Sequence, residues 1–257
     1  MPAASTTAIA NRSSLAARAG ILAYGILSYS LGMFGLFWFI AMHLDVVGFG
    51  TAPFSLSPML AVAYNIALIA GFGVQHTIMA RPAFKERWTK IIPQAMERST
   101  FVLVTGVLVV VAMTTWQQMP ELAWSMSAGP LAYGLRALGA IGFAYLVTAS
   151  FVIDHFELFG LKQVWRNFTG DEPPRLPLVS RLMYRFDRHP LMTGVLFGMW
   201  CTPTMRMDQL VMAIGFTIYI VIGVSIEERS LVERHGESYR AYRRKVAALV
   251  PVPGRRN

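Results

Sequence analysis

The sequence predicts an all-α, polytopic integral membrane protein. About five to six transmembrane helices are expected, with a C-terminal helical hairpin and an amphipathic cytoplasmic tail helix. Of 257 residues, 54% are hydrophobic and only 14% charged, and the mean hydropathy of +0.47 exceeds that of ordinary soluble domains. Apolar runs of membrane length recur along the chain. Lys and Arg gather in alternate loops between those runs, as expected for a chain threaded repeatedly through a bilayer.

The first apolar run, 20–44, follows a small, polar stretch ending at Gly20. It is too long for a signal-peptide core and lacks a convincing cleavage site, so it reads as an uncleaved first span. A helix crossing about 30 Å of hydrocarbon needs about 20 residues. Runs 56–80 and 131–153 meet that length, and 100–116 is a little short. Run 191–205 is interrupted by Pro203, and run 209–226 follows it. These last two read as a hairpin that need not reach the far surface. One membrane domain is therefore expected over 1–257. It has an N-terminal tail at 1–19, four spans over 20–153 and a site-bearing region over 154–257.

Segments 45–57 and 117–129 contain no Lys or Arg, whereas 80–98 holds five, 154–190 six and 227–257 eight. The positive-inside rule then places both termini and the two long basic loops in the cytoplasm, in an inner, cytoplasmic membrane. The net charge of +9 is spread over these loops rather than massed in one block, which fits a lipid surface and argues against nucleic acid. A lone cysteine, Cys201, excludes an internal disulfide and a Cys-based zinc site, and no metal centre is expected. No GxGxxG loop or βαβ pattern occurs, so a nucleotide-type cofactor would not sit in a Rossmann domain.

With that orientation, several helix ends deliver polar groups to one membrane face. They are Gln75-His76, Asp154-His155, Arg188-His189-Pro190 and Glu227-Glu228. Ionisable groups near hydrocarbon are costly and line cavities or pair with one another. Each has a plainer reading: polar helix ends meeting water, one more inside-positive arginine, or acids paired with Arg229 or Arg188. His43 lies at the opposite end and reads as structural. Pro190 suits the first turn of a helix, whose N-terminus beside Arg188 and His189 favours an anion. Gly194 and Gly198 permit close helix approach, most simply within the hairpin. After Glu228, the apolar spacing with Tyr239 and Tyr242 reads as an amphipathic surface helix, either an anchor or a lid. A cation, an imidazole and two carboxylates together suit a small zwitterion.

The stretch Arg188-His189-Pro190-Leu191-Met192-Thr193-Gly194, then Glu227-Glu228, Gly236-Glu237-Ser238-Tyr239-Arg240-Ala241-Tyr242 and the closing Val250-Pro251-Val252-Pro253, resembles the integral-membrane methyltransferases. That group includes the isoprenylcysteine carboxyl and phospholipid N-methyltransferases. Gln75-His76 through Lys85, Glu97-Arg98-Ser99-Thr100 and Asp154-His155 through Trp165 resemble its methanethiol S-methyltransferase branch. Met192 departs from the tyrosine that many relatives carry after the Arg-His-Pro turn.

The resemblance implies S-adenosylmethionine held from the cytoplasmic side by Arg188, His189, Pro190, Gly194, Glu227, Glu228, Tyr239 and Tyr242. Arg188 and His189 would take its carboxylate, and Glu227 or Glu228 its ammonium or ribose. It also implies methylation of a small thiol, methanethiol, to dimethyl sulfide. A thiol titrating near 8.5 needs a base; His76 and His155 are the candidates, with Asp154 able to orient an imidazole. Other acceptors, a lipid amine or a prenylcysteine carboxylate, stay open. So does a non-enzymatic haem or transport protein using His76 and His155.

Overall fold

The computed structural model describes residues 14–48, 52–172 and 180–249. The N-terminal tail before Ser14 and the closing Val-Pro repeat after Leu249 lie outside these. In order, the elements are α1 (Leu15–His43), α2 (Pro58–Met79), α3 (Pro82–Trp88), α4 (Glu97–Thr115), β1 (Leu122–Ser125), α5 (Pro130–Ile153), α6 (His155–Leu158), α7 (Leu161–Thr169), α8 (Pro190–Trp200), β2 (Thr204–Arg206), α9 (Met207–His235) and α10 (Glu237–Lys245). Short 3-10 turns at Gln94–Met96 and Leu182–Arg185 lead into α4 and α8. Four helices begin with proline in the first turn, where its missing N–H is no loss.

Five helices among the described residues (α1, α2, α4 with its leading turn, α5 and α9) are long and apolar enough to cross a membrane. Their outward faces carry large apolar side chains such as Leu27, Phe34, Met59, Ile66, Ile141 and Ile218, as a lipid-facing surface requires. The core is built from Phe39, Met42, Ile69, Met113, Trp116, Phe143, Leu146, Met199 and Met212.

The fifth apolar run forms only an 11-residue helix, α8, about 16 Å long at 1.5 Å per residue. It nevertheless reaches the Lys/Arg-poor end. After Pro203 the chain runs extended as β2 and pairs antiparallel with β1 of the 117–129 loop, and Trp124 Nε1 donates to Thr202 O at 3.1 Å. An extended residue rises about twice as far as a helical one, so a few of them cover the remaining depth.

The partner of α8 is mainly α5 rather than α9. A Cβ on Gly194 would lie 2.6 Å from Gly142 O and Leu146 N, and one on Gly142 would lie 2.7 Å from Gly198 N. The two backbones therefore touch, as small-residue helix contacts allow.

The Lys/Arg-poor end is tied together by Asn65, which exchanges hydrogen bonds with the Gln117 backbone at 2.8 and 3.0 Å. Arg206 is bound to the buried Asp208 at 2.9 Å. His43 Nδ1 bonds Phe39 O at 2.8 Å within its own helix. At the basic end, Arg81 donates to Ser230 at 3.2 Å, joining the end of α2 to α9. Arg98 donates to Leu158 O at 2.6 Å, joining α4 to α6.

Candidate active site

The site is assembled where α8 begins and α9 ends. Glu228, almost fully buried, faces three cationic or imidazole groups. Arg188 donates to it through Nε at 2.7 Å, Arg243 Nε lies at 3.1 Å and His189 Nε2 at 3.3 Å. A buried carboxylate is tolerable only when paired this completely. Glu227, one residue earlier, is the more open of the two. Its side chain is 52% exposed, and its carboxylate lies 3.6 Å from His189 Nδ1. Arg188, His189, Glu227 and Glu228 are thus within one cluster.

Arg188 is committed inside the protein. Besides Glu228 it donates to the carbonyls of Arg243 (3.0 Å) and Val246, and its own N–H bonds Ala247 O at 2.9 Å. Asp187 and Ala247 form a parallel bridge. Arg188 is therefore the pin that folds the tail back over the site.

The tail helix is packed on protein. Gly236, at φ +58°, ends α9 and turns the chain into α10, a conformation glycine adopts without penalty. Tyr239 is then buried, its ring 5.9 Å from that of Tyr242. Tyr242 donates to Tyr184 O at 2.5 Å. Burial pushes the Tyr239 phenol up to about 12 and raises those of Tyr184 and Tyr242, so all three are neutral hydroxyls at physiological pH.

Below them, Asp187 is fully buried and accepts from His189 N at 2.9 Å. Burial holds its carboxyl above the usual range, against the opposing pull of Thr193, the His189 amide and Arg188. Pro190 occupies the first turn of α8 and is buried, while Gly194 faces the α5 backbone. Gly194 thus shapes the wall of the bundle.

The two histidines differ. His155 has both ring nitrogens engaged: Nδ1 with Ser150 Oγ at 2.8 Å and Nε2 with Tyr29 Oη at 2.9 Å. Its ring stacks on Phe151 at 4.2 Å. Asp154 does not touch it. One Asp154 oxygen caps α6 by accepting from Glu157 N at 3.1 Å, and the other meets Lys162 Nζ at 2.5 Å. Burial lowers the His155 pKa from its ordinary 6.5 although Asp154 opposes this.

His76 stacks on Phe72 at 5.3 Å and lies 4.7 Å from the Phe101 ring. Its Nδ1 is buried without a hydrogen-bond partner among the described residues, as is the Tyr184 hydroxyl. Buried polar atoms are rarely left so, and such orphans mark places where a ligand or water completes the bonding. Tyr219 stands 6.4 Å from His76 and within electrostatic reach of Glu227. Arg98 lies 4.7 Å from the centroid of the same Phe101 ring. His76 thus faces α9 at Tyr219, about two turns before Glu227.

Asp187, Tyr184, Arg243 and Tyr219 escape a motif-based reading, and Arg98 enters it only within a motif, without a role. Asp187 carries the clearest signal, an acid directly before Arg188-His189-Pro190. Arg243 sits one turn beyond Tyr239.

Apolar spans with a charged, tail-covered cluster at one end define a multi-pass membrane protein with a candidate binding site at its basic face. The chain is 38% identical to the methanethiol S-methyltransferase of Mycobacterium tuberculosis, over 90% of this chain and 96% of that one. It is 37% identical to methanethiol S-methyltransferase 2 of Bradyrhizobium diazoefficiens, over 91% of both. Nurim of Rattus norvegicus is 30% identical over 68% of this chain and 70% of its own. No family model and no solved structure matches. The chain belongs to the methanethiol S-methyltransferase family.

Proposed function

We propose that this protein transfers a methyl group from S-adenosylmethionine to methanethiol, giving dimethyl sulfide, at the cytoplasmic face of an inner membrane. The observation that carries the reading is the juxtaposition of His189 and the half-exposed Glu227 beside the buried Arg188–Glu228 pair, in a chain whose relatives are named for that acceptor. Those names favour methanethiol over a lipid amine or prenylcysteine carboxylate. The engaged ring nitrogens of His155 leave it a poor axial ligand for haem.

The residues present fit the donor. Glu227 supplies a carboxylate open to an ammonium group. Arg243 supplies the positive side of the pocket, His189 a ring nitrogen 3.6 Å from Glu227, and the Tyr184 hydroxyl, unpartnered among the described residues, can donate or accept. S-adenosylmethionine brings an electrophilic methyl on a cationic sulfur, and its charge disappears in the reaction, which a dehydrated, low-dielectric site favours. The protein's tasks are then to orient the reactants, exclude water and take the thiol proton. The tail pinned by Arg188 excludes water.

His76 takes the proton. Its Nδ1 has no competing partner among the described residues, whereas His155 is held on both sides. The S–H bond of methanethiol breaks, the proton moves to His76 Nδ1, and the sulfur keeps the electron pair with which it attacks. Isothermal titration of the purified protein with S-adenosylmethionine tests the pocket. The wild type binds, and Glu227→Gln and His189→Ala lose at least tenfold in affinity while remaining folded. Unchanged affinity in both removes the assignment.

A further inference from the structure

A small cavity of about 30 Å³ lies among α1, α2, α4 and α9, walled by Phe39, Ile69, Phe72, Met113, Met212 and Phe216 among others. Its lining is entirely apolar. One water needs about 10–15 Å³ on this measure plus several polar partners, so the space is dry and matches a guest of about two heavy atoms. Methionine sulfurs and aromatic rings favour a polarisable sulfur ligand.

A single aromatic ring separates the cavity from the candidate base. Phe72 forms its wall on one side and stacks on His76 on the other. Phe216 touches both Phe72 and Tyr219. Phe39, Met113 and Trp116 carry it toward the Lys/Arg-poor end, away from the charged cluster.

We infer that this cavity is the holding site for the one-carbon thiol acceptor, which reaches His76 from within the bilayer while the charged donor enters from the basic face. The inference rests on the proposed methyl transfer. It explains how one site serves a hydrophilic zwitterion and an apolar thiol without a shared path. It also implies a preference for short alkyl chains, because the apolar space beside Phe216 and Ile69 is small.

Two variants test it in the full-length protein in lipid nanodiscs. Ala112→Leu fills the cavity, and Phe216→Leu enlarges it. One methylene in an apolar pocket changes discrimination by about 10–200-fold. Ala112→Leu is therefore expected to raise KM for methanethiol about tenfold or more with S-adenosylmethionine affinity unchanged. Phe216→Leu is expected to shift the kcat/KM ratio of propanethiol to methanethiol upward by a similar factor.

Xenon serves as an activity-independent probe. Its bound signal in ¹²⁹Xe NMR is expected in the wild type, displaced by dimethyl sulfide and lost in Ala112→Leu. Folded variants with unchanged KM and unchanged selectivity overturn the inference, as does bound xenon that dimethyl sulfide does not displace. A wild type that forms no dimethyl sulfide defeats the proposed reaction instead, and the xenon result then judges the cavity alone.

Discussion

Glu228 is the residue around which the basic end closes, because one buried carboxylate faces Arg188, Arg243 and His189 at once. Removing one partner of such a pair costs about 3–5 kcal/mol, since the other charge stays buried. Arg188→Ala should therefore lower stability by that order and free α10. Arg188→Lys should fare little better, because an ammonium cannot serve a carboxylate and two carbonyls in the planar pattern a guanidinium provides. Hydrogen exchange over 237–249 checks both: protection is lost in the variants if Arg188 pins the tail, and kept if it does not. A second prediction separates the histidines. General-base catalysis contributes about 10²–10⁴-fold, so His76→Ala should reduce turnover by at least a hundredfold while sparing donor binding. His155→Gln should leave kcat per folded molecule within a few-fold of wild type. Equal losses in the two variants would remove His76 as the base.

At the residue scale, the Arg188-His189-Pro190 and Glu227-Glu228 groups are legible as a cluster from their common depth. Which acid faces a ligand is not, because adjacent helical residues diverge by about 100° and only packing decides which is buried. Asp154 and His155 show the same limit. Adjacent in sequence, they are turned apart, one capping α6 and the other bonded to Ser150 and Tyr29.

Among the elements, α6 depends on His155 staying neutral. Because burial lowers its folded pKa below 6.5, the unfolded state binds more protons once pH falls through 6.5. The associated stability is complete above that pH and declines below it toward the folded value. The melting temperature should thus fall between pH 7 and pH 5, and His155→Gln should flatten that slope. An unchanged slope assigns the acid sensitivity elsewhere. The α5–α8 contact offers a harder test. Gly194→Leu drives a side chain into the α5 backbone, and overpacking of this kind costs about 1–3 kcal/mol or more, read as a lower melting temperature. The five long helices are legible from apolar length. The role of α8 is not, since a small-residue spacing announces a close approach without naming the partner. The 117–129 loop likewise gives no sign that β1 will receive β2.

For the whole molecule, charge asymmetry between the two ends separates the chemistry as well as the topology. Every charged group proposed to hold the donor lies at the basic end, and the apolar cavity extends the other way. Reporter fusions check the orientation: a tag within 117–129 should be accessible only from the periplasmic side, and one within 89–95 only from the cytoplasm. The reverse pattern would move the donor site to a compartment without the proposed cofactor supply.

The central claim, methyl transfer to a small thiol by this chain alone, is tested most directly by turnover of the purified protein. Methanethiol and S-adenosylmethionine bearing a trideuterated methyl group are supplied together, and the headspace is analysed by mass spectrometry. Dimethyl sulfide carrying one deuterated methyl, formed by the wild type and lost with His76→Ala, is the predicted result. Unlabelled sulfide, or none at all from folded protein that binds the donor, would contradict it.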